Sequence, residues 1–422
     1  MGIHAIIGGQ WGDEGKGKIV DHFSETADVV VRYQGGANAG HTVFIGDHQF
    51  ILHQIPSGIL HPDTRCLLGT GMVIDPIALA EEISELQSQG IDWIDQIGIA
   101  YNAHLVLPVH KSLDGISEDS GSEQTIGTTR RGIGPAYTDR AARKGIPVSF
   151  LLSESDFKTA VISHLNHANK TITQIYGQPA VDADEFMEPL LRSRAILAPY
   201  ITDVAAELHA ALRERKQIIA EGAQGVLLDV DFGSYPFVTS SHPGTIGVAV
   251  GLGIPPSAIT RSTGIFKAYC TRVGEGPFPS EIRDPKIEEK LREAGCEYGA
   301  TTGRPRRCGW FDAVLGKYSS RLNGFTDICI TKADVLSAFS DIRVCTGYSN
   351  TSDKFLNSHA LQSVIPEYRS LPSWDEDISQ YNDFSELPDQ LKNYLRILET
   401  ELEAPVKLIS TGPERSQILV RE

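Results

Sequence analysis

Positive charge is in short supply in this sequence: 38 Lys and Arg stand against 54 Asp and Glu, a formal net charge of −16. Nucleic acids and anionic membranes bind proteins through clustered Lys and Arg, so neither is an expected partner. Cysteine is sparse as well. The six (Cys66, Cys270, Cys296, Cys308, Cys329 and Cys345) form no C-x-x-C pair or other metal-ligand spacing, which fits a reducing compartment. No uninterrupted apolar run is long enough to span a bilayer. The opening Met1–Ile7 has no basic n-region and no long apolar stretch, and position 6 is Ile where a myristoylation signal has Ser or Thr. A cytoplasmic protein is expected. Repeats, low-complexity tracts and linkers are missing too, so residues 1–422 read as one domain with insertions.

What is present is an ordinary globular composition, 41% hydrophobic and 22% charged. Short apolar runs alternate with helical patterns. This predicts an α/β protein with a large, mostly parallel central sheet flanked by helices, plus small insertions. Strands are expected at Ile3–Ile7, Asp28–Tyr33, Ile218–Glu221, Ser262–Tyr269, Ile328–Thr331, Ile342–Thr346 and Val406–Ser410. Helices are expected at Gly17–Phe23, Pro76–Gln89, Glu185–Lys216 (interrupted near Pro199), Lys286–Glu293, Trp310–Asn323 and Leu387–Glu403. Gly115–Pro135 and Gly295–Arg307 read as long polar loops, a type that often closes over ligands.

The first strand runs into Gly8–Lys18, where Gly8, Gly9, Gly12, Gly15 and Gly17 would let backbone N–H groups approach phosphate. Gly12–Lys18 fits G-x-x-x-x-G-K, which makes the expected fold P-loop-NTPase-like. Position 19 is Ile, however, where the usual loop carries a metal-binding hydroxyl. Asp13 is the carboxylate that would take over that task. After the second strand, Gly35–His41 repeats the pattern and offers Asn38 and His41. His41 would serve as an acid or oxyanion partner while Asp13 takes a proton. Thr331-Lys332-Ala333-Asp334 resembles the [NT]-K-x-D motif, in which an Asp accepts two guanine N–H groups; taken alone it reads better as a helix N-cap, and the phosphate loop turns the reading to guanine. Ser410-Thr411-Gly412 would close over the same base.

Thr128–Gly132, Arg140–Lys144 and Gly299–Arg307 concentrate Arg and Thr in an acidic chain, as anion sites or as solvated surface charge. Gln224, in Glu221–Gly225, reads either as an amide for a base carbonyl or as turn chemistry.

Together, Gly9–Lys18, Gln34–His41, Gly132–Tyr137, Glu221–Gly225, Thr271–Pro279, Gly299–Trp310 and Ser410–Pro413 closely resemble the adenylosuccinate synthetase family, in family order from Gly2 to Pro413. The resemblance implies a homodimeric enzyme that joins IMP to L-aspartate at the expense of GTP, with Mg²⁺, through a 6-phosphoryl-IMP intermediate. It implies catalytic roles for Asp13 as base, His41 as acid, Lys16 and Gln224. GTP would lie against Gly12, Glu14, Gly15, Lys16, Gly17, Lys18, Gly40, His41, Thr42, Arg306, Lys332, Ala333, Asp334, Ser410, Thr411 and Gly412. IMP would contact Asp13, Asn38, Ala39, Thr129, Gln224, Thr239 and Arg304, with Arg143 arriving from a second subunit. Aspartate would meet Ala300, Thr301, Thr302, Gly303, Arg304 and Arg306, and Mg²⁺ the Asp13 carboxylate and Gly40 carbonyl. Three departures stand out: Arg130 where many members have Gly, His242 in a segment that is commonly Ser-Ser-Asn, and Pro305 for an Arg of some members. The alternatives are a non-catalytic GTP-binding paralogue and a ligase for a modified purine nucleotide.

Overall fold

A computed structural model describes residues 2–46, 48–120, 126–299, 303–350 and 358–421. Its centre is a ten-stranded sheet. In chain order the strands are Ile3–Gly8 (β1), Val29–Arg32 (β2), Arg65–Leu68 (β3), Ile97–Ala100 (β4) and Ile201–Thr202 (β5), then Ile218–Glu221 (β6), Ile259–Lys267 (β7), Asp327–Thr331 (β8), Val406–Ser410 (β9) and Ile418–Val420 (β10). Across the sheet they run β10-β9-β8-β7-β1-β6-β2-β3-β4-β5, and every pair but β9–β10 is parallel. Parallel strands covered on both faces need apolar side chains on both, hence the Val- and Ile-rich runs of β1, β2 and β6, broken in β1 only by His4 and ended by Arg32 in β2 and Glu221 in β6. Small sheets, such as the hairpin His41–Ile45/His48–Leu52 and the Asp341–Tyr348/Pro366–Pro372 pair, are the insertions.

The helix Lys16–Ser24 begins where the loop after β1 ends. Ile19 and Val20 are fully buried against Ile6, Val30, Ile219 and Ile265. Burying each such side chain contributes roughly 1.5–3 kcal/mol, so this packing fixes the helix N-terminus at the carboxyl end of β1. Ile19 is therefore a core residue. The position that carries a metal-binding hydroxyl in the usual loop is spent on packing here.

Several predicted boundaries change. Glu185–Lys216 is two helices, Met187–Leu197 and Val204–Arg213, with the edge strand β5 between them. Pro199 ends the first, and Asp203 caps the second by accepting from Ala206 N–H at 3.0 Å. Trp310–Asn323 is helical only from Ala313, because Phe311–Asp312 pairs as a strand with Val344–Cys345. The β7 strand starts earlier than expected and stops at Lys267. Gly115–Pro135 is partly helical: Pro108–Asp119 runs into it and Ile133–Ala141 starts within it, while 121–125 lie outside the described residues. Among the described residues, no helix is long and apolar enough to cross a membrane.

Candidate active site

The loops after β1, β2, β6, β8 and β9 all leave the carboxyl edge of the sheet, the usual ligand edge of such folds. The β1 loop is built around Glu14, whose carboxylate is fully buried. Its Oε1 accepts the Gln10 and Gly12 N–H groups at 3.0 and 2.9 Å, and its Oε2 takes Lys16 Nζ at 2.5 Å. Glu14 thus shapes the loop from inside, and only its backbone is left for a nucleotide. Gly15, with φ of 83°, turns the chain into the helix at an angle that other residues rarely adopt.

Asp13, at φ 59°, sits on the outer side of this loop, and its Oδ2 accepts from Arg306 Nε at 2.8 Å. Gln224, also left-handed at φ 54°, packs under Gly12 and beside Gly35, joining the loops of β1, β2 and β6. The amide oxygens of Gln224 and Asn38 are buried without a partner among the described residues. Buried acceptors are rarely left unpaired, so these two orphans on the β2 and β6 loops mark places for a ligand's donors. His41 opens the hairpin strand after the β2 loop. Its Nδ1 lies 2.5 Å from Glu221 Oε1, at the end of β6. Burial pushes His41 below its ordinary pKa. Burial works to raise Glu221, yet the His41 hydrogen bond and the His41 and Arg32 charges hold it below the usual carboxylate range.

At the other side of the loop, Lys18 Nζ donates to Ser410 Oγ at 2.8 Å and to the Gly412 carbonyl at 2.7 Å. Thr331 Oγ1 donates to the Glu14 carbonyl at 2.6 Å. The residues Gly12–Lys18, Lys332–Asp334 and Ser410–Gly412 are therefore one cluster. Asp334 follows on the short helix Ala333–Leu336, and burial raises its carboxyl above the ordinary value, against the pull of Lys332. Lys332 Nζ itself donates to the Gly295 carbonyl at 2.6 Å. Ala333 and Thr411 are fully buried, and the Thr411 hydroxyl lacks a partner among the described residues.

The remaining candidates are spread around this cluster. Gly134 faces Ser240, next to Thr239, and Tyr137 Oη accepts from Gly35 N–H at 3.0 Å, so the segment after Thr129 adjoins the Asn38 loop. Thr129 and Arg143 are exposed, Arg143 at φ 61°, and no contact of Arg143 with Asp13, His41 or Gln224 is seen. Gly303 and Arg304 close a turn in which Gly303 N–H donates to Gly299 O at 2.7 Å. Ala300, Thr301 and Thr302 lie outside the described residues. Among the described residues, one group has metal-like spacing, His110, Asp139 and His164. His110 Nδ1 accepts from Leu107 N–H at 2.9 Å, so its proton is on Nε2, where a metal needs a lone pair. The group is a hydrogen-bonded clasp joining three helices beside Arg143.

A chain of alternating charge leads inward from Asp13. Arg306 bridges Asp13 to Glu297 Oε2 at 2.7 Å, and both Glu297 oxygens lie 2.8 Å from Lys267 Nζ, with Lys267 and Glu297 almost wholly buried. Burial works to raise Glu297, but Lys267, Lys332 and Arg306 bring it from 4.5 down to about 2. A depressed carboxylate stabilises the fold above its unfolded pKa and loses that contribution as pH falls through the folded value. A drop of that size corresponds to about 3 kcal/mol. Urea unfolding of the wild type should therefore lose roughly that stability between pH 4.5 and 2 through Glu297 alone. Glu297→Gln should start about 3–5 kcal/mol less stable at pH 7, with Lys267 unpaired, and fall less steeply in that window. Equal slopes for the two proteins would refute the assignment.

A family model for adenylosuccinate synthetase matches residues 5–419. The chain belongs to the adenylosuccinate synthetase family. It is similar to the adenylosuccinate synthetase of Salinibacter ruber, 46% identical over 431 residues covering 99% of this chain and 98% of that one. The Pelotomaculum thermopropionicum adenylosuccinate synthetase is 45% identical over 425 residues, 100% of this chain and 99% of its own. Among solved structures, the fully ligated adenylosuccinate synthetase of Plasmodium falciparum superposes with a TM-score of 0.94 at 36% identity, over 100% of both chains. A cyanophage S-2L succinoaminodeoxyadenylate synthetase, 20% identical with a TM-score of 0.63 over 99% of this chain and 95% of that one, shares the fold.

The departures from the adenylosuccinate synthetase pattern have local accounts. Arg130 has φ of 54°, the region that favours Gly, and pairs through both terminal nitrogens with Asp119 at 3.0 and 2.6 Å. His242 Nδ1 lies 3.2 Å from Asp229 Oδ1, and Pro305 pairs with Tyr298 across its loop. The sequence reading left out Glu221, Glu297 and Lys267 as site residues. A charged residue that ends an apolar strand, as Glu221 ends Ile218–Glu221 and Lys267 ends β7, was the available signal. Glu297 had none.

Proposed function

We propose that the protein joins IMP to L-aspartate, with GTP converted to GDP and phosphate, through 6-phosphoryl-IMP. The observation that carries this reading is the single cluster in which Lys18 ties the phosphate loop to Ser410 and Gly412 while Asp13, His41 and Gln224 flank its other side. In this reading Asp13 takes the N1 proton of IMP, and O6 attacks the γ-phosphate as GDP leaves. Lys16 and the loop N–H groups offset phosphate charge, and His41 meets the transferred phosphoryl group. The aspartate amine then displaces phosphate at C6. Gln224 and Asn38 supply the orphan amide oxygens for IMP.

Mg²⁺ fits the donor set, since the Asp13 carboxylate and the Gly40 carbonyl are hard oxygen ligands and Ile19 leaves the usual hydroxyl position apolar. Bound there, it would offset charge on the β- and γ-phosphates. Arg304 and Arg306, with 300–303, would hold the aspartate carboxylates. Arg143, exposed on its own chain, would complete the IMP site of a partner in a homodimer. One domain in the cytoplasm is the accompanying reading.

The test is purified protein with IMP, L-aspartate, GTP and Mg²⁺, following adenylosuccinate and phosphate together. Equimolar products that require all three substrates are expected. No product under conditions in which GTP binds would overturn the proposal.

A further inference from the structure

The Glu221 carboxylate is wholly buried and makes three contacts. Oε1 lies 2.5 Å from His41 Nδ1 and 2.9 Å from Ser57 Oγ, and Oε2 accepts from Ser57 N–H at 2.8 Å. Ser57 is itself fully buried at the start of the turn Ser57–Leu60. The base of the His41 side chain is fixed by helix residue Gly17, which packs so closely that a Cβ there would lie 2.8 Å from His41 Cβ. Behind the pair, Arg32 is the register partner of Glu221 across β2 and β6, and its NH1 is bonded to the His53 carbonyl. The charged groups facing His41 are thus Glu221, Arg32 and Lys16.

We infer that Glu221 is the positioning residue for His41: it accepts the Nδ1 proton, fixes the ring plane, and leaves Nε2 as the nitrogen open to a ligand. The inference rests on the proposed ligase reading for its catalytic consequence. The wiring stands on geometry alone. An ionised carboxylate only accepts, so Nδ1 must carry a proton to bond it.

The neighbours make the substitution Glu221→Gln unusually informative. Ser57 N–H is a backbone donor and cannot reverse, so the new amide must turn its oxygen to Ser57. Its NH₂ group then faces His41 Nδ1, which must become an acceptor. The ring proton moves to Nε2. An amide in place of the carboxylate behind a catalytic histidine inverts the tautomer in the same manner in Ser-His-Asp enzymes.

The experiment is ¹⁵N NMR of histidine-labelled protein, with the His41 signals assigned by comparison with His41→Asn. The wild type is expected to carry the proton on Nδ1, and Glu221→Gln on Nε2. In the full reaction Glu221→Gln should lower kcat about 10²–10⁴-fold, the range of acid–base assistance, with KM for IMP and GTP within about threefold. Glu221→Asp keeps a carboxylate and should keep the Nδ1–H tautomer and recover part of kcat. A wild-type His41 protonated on Nε2 would overturn the inference, and needs no variant to fold. So would near-normal kcat in Glu221→Gln. A wild type with the Nδ1–H tautomer but no ligase activity would sink the proposed function instead.

Discussion

Asp13→Asn is expected to lower kcat by about 10²–10⁴-fold or more while GTP still binds within roughly tenfold of the wild type, because loss of a positioned base removes that much. The separation of the two effects comes from Glu14. The loop N–H groups of Gln10 and Gly12 and the Lys16 ammonium are gathered by Glu14, and the Asp13 side chain holds none of them. Asn is the cleaner substitution. Position 13 has φ of 59°, where Asn is tolerated and Ala costs about 1–2 kcal/mol of backbone strain. Asp13→Ala should therefore lose turnover as fully and lose some stability besides. Arg306 keeps its second carboxylate, Glu297, in either variant. The measurement is steady-state turnover beside GTP binding by calorimetry. Near-normal kcat in Asp13→Asn would refute the base assignment, and equal loss of turnover and binding would place Asp13 in metal and nucleotide binding instead of proton transfer.

Much of this arrangement was legible in the sequence, for reasons that also explain what was missed. Strands β1, β2, β6, β8 and β9 are largely apolar, interrupted inside only by His4 in β1 and Lys407 in β9, and flanked by Gly or polar loops, so their apolar runs gave them away. Their carboxyl ends then put Gly12–Lys18, Asn38–His41, Gln224, Asp334 and Ser410–Gly412 on one edge. The two-residue strand β5 has no pattern to read, although Pro199 did mark the interruption between the two helices around it. The long helix Glu154–Gln174 was missed, although Phe157, Val161, Leu165, Ala168 and Ile172 stand at helical spacing, because no motif drew attention to it. Partners far apart in the chain leave no local trace. Asp13–Arg306 spans 293 positions and His41–Glu221 spans 180, and each depends on strand order that only the folded sheet supplies.

The base-reading end offers the second large effect, Asp334→Asn. In the folded protein Asp334 already carries a desolvation cost, visible as a raised carboxyl. In the proposed GTP site, guanine's N1–H and N2–H₂ are two donors that would repay it. Adenine presents an acceptor at N1 and leaves the carboxylate unpaired, and a site built for such donors rejects the analogue without them by 10⁴–10⁵-fold. The wild type should therefore prefer GTP over ATP by about that ratio in kcat/KM. Asn at 334 offers one acceptor and one donor. That pair no longer matches guanine, but it matches xanthine, which has N1–H beside an O2 acceptor. Asp334→Asn should lose GTP turnover by about 10²-fold or more and gain turnover with XTP, while ATP stays poor. Asp334→Ala removes both contacts and should lower GTP use without raising XTP use. Lys18 continues to hold Ser410 and Gly412 in both variants, so the pocket wall stays in place. The decisive comparison is kcat/KM for GTP, ATP and XTP in the three proteins. An unchanged GTP-to-XTP ratio in Asp334→Asn would mean that the Thr331–Asp334 turn is a helix cap and that guanine is read elsewhere.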